Sequence, residues 1–348
     1  MFHSRIVRRS FVLGAAVAAL GTGPRLARAQ TRLEKSRLLL AVGVKSAFQN
    51  LPLTIADRLG YFSAEGLDVE ILDLVNGQRA QQAVMEGAAD VACGVFEGLL
   101  DGPARNHHLR SFVLLSRAPQ IAFGVSSRNL PGFKRVAELR GRKIAVGAPG
   151  SSAHLVAALV LARQGLTLKD VQLSEVAGAG AAMQAVRAGQ VDVLVHTEPV
   201  ISMLEQKGDI RVIADTRSLK GSQELFGGNM PAACLFASAQ AVQNQANTLQ
   251  ALTNAVVRAL KWLQTAGPSD LIKVVPEPYL LGDRGMYLAA FGKLRESISL
   301  DGLMPEDGPK TAMRALERVA SARLPEKMDL EQTYTNEFAR KSKEKFRA

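Results

Sequence analysis

The sequence predicts an α/β chain folded as two lobes of like design. Three observations carry that expectation: an internal duplication, a regular alternation of strand and helix patterns, and a length sufficient for two cores. Residues 82–91, Gln-Ala-Val-Met-Glu-Gly-Ala-Ala-Asp-Val, recur as residues 184–193, Gln-Ala-Val-Arg-Ala-Gly-Gln-Val-Asp-Val, at an offset of 102. Upstream, Ala41-Val42-Gly43 pairs with Ala145-Val146-Gly147 at an offset of 104, so the match spans two successive units. Both copies read strand, loop, helix, strand, loop, helix, strand, with the apolar period switching between 2 and 3.6. The chain has 348 residues and 47 % apolar content, and single cores stop growing before that size.

In the first copy the predicted strands are 38–44, 67–74 and 90–94, with helices starting near Pro52 and Gly77. In the second they are 143–147, 171–176 and 192–195, with helices from about Ser151 and Ala179. Such alternation predicts mostly parallel sheets with right-handed crossovers. Gly87 and Gly189 read as left-handed helix ends, and Gly66 and Gly165 do the same in the preceding turns. Asp90 and Asp192 follow at strand starts and read as structural, their side chains bonding backbone N–H groups.

The chain is expected to leave lobe one through the extended segment 120–127 and to return through 231–238, the two crossings forming a hinge. Helical patterns at 248–264, 282–294 and 309–322 would then complete lobe one. The boundaries are 30–122 and 236–325 for lobe one, 123–235 for lobe two, and a basic tail at 326–348. That tail carries Arg340, Lys341, Lys343, Lys345 and Arg347, read as a solvated helix face or, alternatively, a membrane or partner contact.

Residues 1–29 hold five arginines and no acid, followed by an apolar run from Phe11 to Leu20 and the small-x-small triplet Ala27-Arg28-Ala29. This is the order of a cleaved export signal, too short to span a bilayer, with cleavage near Ala29. Arg8-Arg9 before Ser10-Phe11-Val12-Leu13 fits a twin-arginine signal; an ordinary secretory signal is the alternative. A periplasmic location follows as an expectation. Removing the segment lowers the formal charge from +11 to +6, and aromatics are only 5 %, so nucleic acid is not an expected partner. Cys93 and Cys234 lie in strand-like apolar runs and are expected to be buried thiols, with a disulfide as the rival. Neither a metal-ligand spacing nor a cofactor motif is found, and no catalytic residue is assigned.

The segments Pro52-Leu53-Thr54-Ile55-Ala56-Asp57-Arg58-Leu59-Gly60-Tyr61-Phe62, Glu65-Gly66-Leu67-Asp68-Val69-Glu70 and Glu138-Leu139-Arg140-Gly141-Arg142-Lys143-Ile144-Ala145-Val146 resemble the periplasmic solute-binding proteins of nitrate, sulfonate, taurine and pyrimidine-precursor uptake. With Ala148-Pro149-Gly150-Ser151-Ser152 and the Glu198-Pro199 corner, the resemblance covers roughly residues 38–300. It implies a type II periplasmic-binding-protein fold, a monomer, a small organic ligand, amphoteric or anionic, and delivery to an ABC-type permease with a separate ATPase. A periplasmic sensor signalling to a membrane receptor is the alternative. An enzyme of the thiamine-precursor type is disfavoured because its cysteine-rich motif is absent.

Ligands of open α/β sheets sit outside the carboxyl ends of the strands, which selects the candidate site. Lobe one offers Ser46, Phe48, Gln49, Gln78, Phe96 and Glu97; lobe two offers Ser151, Ser152, His154, His196, Thr197 and Glu198. Asn229 joins them from the return crossing. Gly150 and the two serines open a helix whose N-terminal amides favour an anion, or simply cap it. Glu97 and Glu198 would accept N–H donors or face solvent, and Phe48 and Phe96 would form an aromatic floor or pack their loops.

Overall fold

A computed structural model describes residues 32–74, 76–100, 108–148, 150–176, 178–319 and 328–348. The export-signal reading of residues 1–29 lies outside them. The duplication appears as two five-stranded sheets. The first has the order β2-β1-β3-β10-β4, from β1 (Arg37–Val42), β2 (Asp68–Asp73), β3 (Val91–Val95), β4 (Leu109–Leu114) and β10 (Ala233–Ser238). The second has the order β7-β6-β8-β5-β9, from β5 (Ile121–Ser126), β6 (Lys143–Val146), β7 (Gln172–Glu175), β8 (Val193–Thr197) and β9 (Ile210–Asp215). In each sheet the first three strands are parallel and the fourth, β10 or β5, runs antiparallel to its neighbours. These sheets and their flanking helices form the two-lobed type II fold that the sequence predicts.

The repeated elements keep their local chemistry. The helix Gly77–Met85 ends on Gly87 at φ +73°, and Ala179–Arg187 ends on Gly189 at φ +71°. A side chain with a Cβ is strained there, so glycine lets the chain turn straight into the next strand. Ala88 N–H bonds Ala83 O at 2.8 Å and Gln190 N–H bonds Ala185 O at 2.9 Å, the same closing bond in both copies. Asp90 then accepts from the Leu39 N–H at 2.9 Å, and Asp192 from the Lys143 N–H at 2.9 Å. Each aspartate therefore ties the start of the third strand to the neighbouring strand, not to its own turn.

The extended segments expected to be crossings are the antiparallel strands themselves. β5 belongs wholly to the second sheet and β10 wholly to the first, so the crossings fall just before them, at about 115–120 and 227–232. A pleated strand exchanges bonds on both edges, which fixes it within a sheet; only the short stretches between sheets are left to cross. The first crossing is bonded to the second by Ala232 N–H to Ser116 O, 3.1 Å, and to the start of β10 by Leu115 N–H to Ala233 O, 2.7 Å. Residues 297–299 run beside them, with Arg117 N–H bonded to Ser297 O at 2.6 Å and Ser299 N–H to Leu115 O at 2.8 Å.

Apolar side chains fill both faces of each sheet. One face of the first sheet packs on the helices Leu51–Arg58 and Ala246–Thr265 through Leu38, Leu40, Leu53, Leu252 and Leu260. One face of the second packs on Ala179–Arg187 and Val200–Gln206 through Leu194, Val186 and Leu204. A further apolar cluster joins Phe96 and Phe236 of lobe one with Phe123, Leu155 and Val160 of lobe two. The helix Gly308–Val319 also sits in this cluster through Ala312 and Ala315, against both Glu97–Leu100 and Ser152–Ala162. It therefore bridges the lobes and does not complete lobe one alone.

The basic tail is a helix, Glu337–Phe346, docked on Ala246–Thr265 with Phe338, Ala339 and Ser342 buried. Lys341, Lys343 and Lys345 pair with Glu337, Asp301 and Glu65. Cys93 and Cys234 are both free and buried. Leu235 lies opposite Cys93 and Gly94 opposite Cys234, so the two thiols point to opposite faces of the sheet and cannot join in this fold.

Candidate ligand-binding cleft

The segments after β3 and β6 meet between the lobes at one place, and the loop after β1 meets the end of β8 at another. A small pocket there is lined by Ala47, Phe48 and Gln49 from the loop after β1, and by Thr197 and Glu198 from the end of β8. Gln120 of the first crossing and Leu294, at the end of the helix Arg284–Leu294, complete the lining. Four predicted residues, Phe48, Gln49, Thr197 and Glu198, thus meet at one place. Ser46 is exposed on the same loop, outside that lining.

Phe48 is held for contact by its own packing. Its ring stacks on Tyr287 with centroids 4.6 Å apart and planes at 28°. Aromatic pairs favour stacked arrangements at such distances, and Phe48 contributes to the pocket wall as well. Phe96, by contrast, is completely buried within the cluster joining the lobes, so the aromatic-floor reading fails for it. A large side chain next to a strand end packs inward when a helix covers it, here Gly308–Val319.

Glu97 and Ser152 meet across the lobes. The Ser152 hydroxyl donates to Glu97 Oε1 at 2.5 Å, while Oε2 is buried and has no hydrogen-bond partner among the described residues. Burial pushes the Glu97 carboxyl up from its ordinary pKa, and the Ser152 bond offsets part of that rise. Ser151 caps the Ser152–Ala162 helix, its Oγ accepting from His154 N–H at 3.4 Å. Gly150, at φ +80°, lies beside Gln78: a Cβ on that glycine would stand 3.0 Å from Gln78 Nε2. Gln78, Glu97, Gly150 and Ser152 therefore form a second seam between the lobes.

Glu198 is buried in the pocket wall, which excludes the solvent-facing alternative, and the N–H donors that it accepts here are the protein's own. Arg217 Nη1 donates to its Oε1 at 2.6 Å, the Ser202 hydroxyl to the same oxygen at 2.8 Å, and Ser202 N–H to Oε2 at 3.0 Å. Arg217 is itself buried and also binds Asp215 and Glu205. The reason is electrostatic: an unpaired carboxylate at 3 % exposure would be too costly, and a guanidinium can serve several carboxylates at once. The sequence hides this because Arg217 lies beyond the helix and strand that follow Glu198.

His196 is half-buried, its Nδ1 3.2 Å from Thr197 O, and burial pushes its pKa down; burial does the same to His154. Both therefore favour the neutral ring. Among the described residues no three His, Cys, Asp or Glu side chains gather as metal ligands. Asn229 stands exposed, with Nδ2 bonded to Asp307 Oδ1 at 2.8 Å and its N–H to Oδ2 at 3.1 Å. Its side chain ties the return crossing to the start of the helix Gly308–Val319 and is engaged there, not in the pocket.

Lining residues missed from sequence are Gln120 and Leu294. Gln120 has φ +62°, is buried, and donates from Nε2 to Ser297 Oγ at 3.0 Å. Asn50, just before the helix Leu51–Arg58, is buried, its Nδ2 bonded to Val44 O at 2.7 Å and its Oδ1 without a partner among the described residues. Neither Gln120 nor Leu294 lies at the carboxyl end of a strand, so the rule that selects the other lining residues gives no signal for them.

An α/β lobe with a mixed five-stranded sheet on either side of a cleft, joined by short crossing segments, is the periplasmic-binding-protein fold. The chain belongs to the NMT1/THI5-like family, whose model matches residues 47–267. A solved protein of Bordetella bronchiseptica RB50 is similar at 49 % identity, covering 91 % of this chain and all of that one, with a TM-score of 0.85. The alkanesulfonate-binding protein SsuA of Xanthomonas axonopodis pv. citri, solved bound to MOPS, is 19 % identical, covers 88 % of this chain and all of its own, and has a TM-score of 0.68. The desulfurization enzyme DSZB is 17 % identical over 90 % of this chain and all of its own, with a TM-score of 0.61. The last two share the fold, which therefore serves both binding and catalysis.

Proposed function

We propose that this protein is the extracytoplasmic receptor of an ABC importer, capturing a small organic ligand between its lobes and presenting the closed form to a permease with a separate ATPase. The observation that carries this reading is the pocket whose wall is shared by Phe48 and Gln49 of one lobe, Thr197 and Glu198 of the other, and Gln120 of the crossing. A site divided in this way is complete only when the lobes close, so ligand binding and closure are one equilibrium. On this reading residues 1–29 are the export signal, the mature protein is a periplasmic monomer, and the lobes turn as bodies about 115–120 and 227–232.

The test is small-angle scattering with native mass spectrometry. A retained small-molecule adduct, and a radius of gyration that falls when that molecule is added back after its removal, is the expected result. A scattering profile unchanged at saturation would refute capture by closure.

A further inference from the structure

The duplication lays one scaffold down twice, and the two copies differ in the charge they carry at the end away from the cleft. In lobe two the strands β6, β7, β8 and β9 begin at that end, and the antiparallel β5 finishes there. Residues 127–143, 163–171, 187–192 and 207–211 gather at it, holding eleven Lys and Arg, all exposed, against four Asp and Glu. That excess of seven positive charges is larger than the +6 of residues 30–348 as a whole. Among the described residues the matching end of lobe one, 33–37, 59–68, 86–90, 108–110 and 239–246, holds three cations against five acids. Two copies of one fold need the same turns and caps, so an asymmetry of this size speaks to association and not to folding.

The cations form a row. Lys169 stands before β7, Arg142 before β6, Arg187 before β8, Arg128 after β5 and Arg211 at the start of β9, so every strand of the order β7-β6-β8-β5-β9 contributes one. Five strands side by side span about 20 Å. Few of the charges are answered locally. Arg135, Arg140 and Arg187 pair with Glu138, Asp170 and Asp209, while Asp192 is engaged by the Lys143 N–H and by Asn129. Eight of the eleven therefore have no carboxylate partner among the described residues. Arg128 Nη1 donates to the Arg187 carbonyl at 2.7 Å, which brings two residues of like charge together. The basic tail is the opposite case, since Lys341, Lys343 and Lys345 are each paired with a carboxylate of the protein.

We propose that this end of lobe two binds an anionic bilayer surface through the phosphates of its headgroups. The inference is independent of what the cleft holds. A row of that length, exposed throughout and built from five strand ends, is wider than one small anion and matches a sheet of negative charge. Lys and Arg near such a surface each strengthen attachment about fivefold, and the attraction falls off within a Debye length, so it requires cations that project together from one end. Attached there, the protein keeps the carboxyl ends of its lobe-two strands, and the cleft with them, turned away from the bilayer toward solution. On the receptor reading, attachment also concentrates the protein along the membrane of its permease.

The test is sedimentation of the full chain with vesicles of phosphatidylglycerol and phosphatidylethanolamine in equal parts, set against vesicles of phosphatidylcholine. Lys134→Gln, Arg142→Gln, Lys169→Gln and Lys207→Gln each remove an exposed cation that forms no ion pair among the described residues. Each change is expected to weaken binding to the anionic vesicles about fivefold, and all four together at least about a hundredfold. Lys273→Gln with Lys310→Gln removes two exposed charges elsewhere on the surface and is expected to change binding by less than about twofold. Residues 1–29 are common to every variant, so their arginines cannot account for a difference between variants. No preference for the anionic vesicles overturns the inference, and so does an equal loss from Lys134→Gln with Arg142→Gln and from the Lys273 and Lys310 pair. Soluble polyphosphate bound as tightly as vesicles of the same phosphate concentration assigns the row to a soluble polyanion and overturns the membrane assignment. None of these outcomes touches the receptor reading, which scattering of the ligand-bound protein decides.

Discussion

Ser152, the first residue of a lobe-two helix, donates its hydroxyl hydrogen bond to the buried carboxyl of Glu97, the first residue of a short lobe-one helix. One side chain from each half of the duplication therefore closes the seam between the lobes. Ser152→Ala would leave Glu97 buried with neither oxygen bonded by a side chain, at an expected cost of about 1–3 kcal/mol. Denaturant unfolding measures that loss, and scattering should show a larger radius of gyration as the seam loosens.

The same carboxyl sets a pH dependence. Burial raises the Glu97 pKa in the folded protein above its unfolded value, so the folded state holds that proton to higher pH. Stability from this group is greatest on the acid side and falls as pH rises from the ordinary carboxylate range through the raised value. Melting temperatures of the protein and of Glu97→Gln, followed from about pH 4 to about pH 7, should converge at the acid end and diverge upward. Parallel curves would refute it.

Arg217→Met should be among the most damaging single changes. It strands Glu198 in a buried wall, and breaking such a pair costs about 3–5 kcal/mol. Adding Glu198→Gln to that variant should recover part of the loss, because the uncompensated charge is then gone. Unfolding of the two single variants and the double variant, as a cycle, measures the coupling.

The duplication makes its own quantitative statement. Asp90→Ala and Asp192→Ala each remove a 2.9 Å bond to a backbone N–H on the neighbouring strand, at Leu39 and at Lys143. Their costs should be alike, about 1–3 kcal/mol each, and additive to within about 0.5 kcal/mol, since they lie in different sheets. Chemical denaturation of both single variants and the pair checks this.

Cys93 and Cys234 should stay reduced and unreactive. Burial raises both thiols, Cys234 to about 12, so almost no thiolate is present at neutral pH, and opposite faces prevent a disulfide. Titration with a thiol reagent should count no thiols in the folded protein and two after unfolding. A mass lower by two hydrogens after mild oxidation would contradict the strand register.

The sequence by itself determined the architecture. The repeated Gly87 and Gly189, Asp90 and Asp192, and the alternating strand and helix runs act within a few residues of themselves or on the next strand, so their meaning is carried by spacing. The cap at Ser151 and the convergence of Phe48, Gln49, Thr197 and Glu198 were legible for the same reason, since strand ends gather in an α/β sheet. Only the tertiary structure decided which of those groups is free. Phe96 turned into a core completed by a helix more than 200 positions later, and Glu198 was neutralised by an arginine beyond the next strand. The crossings gained a third segment at 297–299, and the basic tail docked as a helix. Burial and charge compensation depend on which distant segments arrive at a place, and nothing in the spacing of neighbours records that arrival.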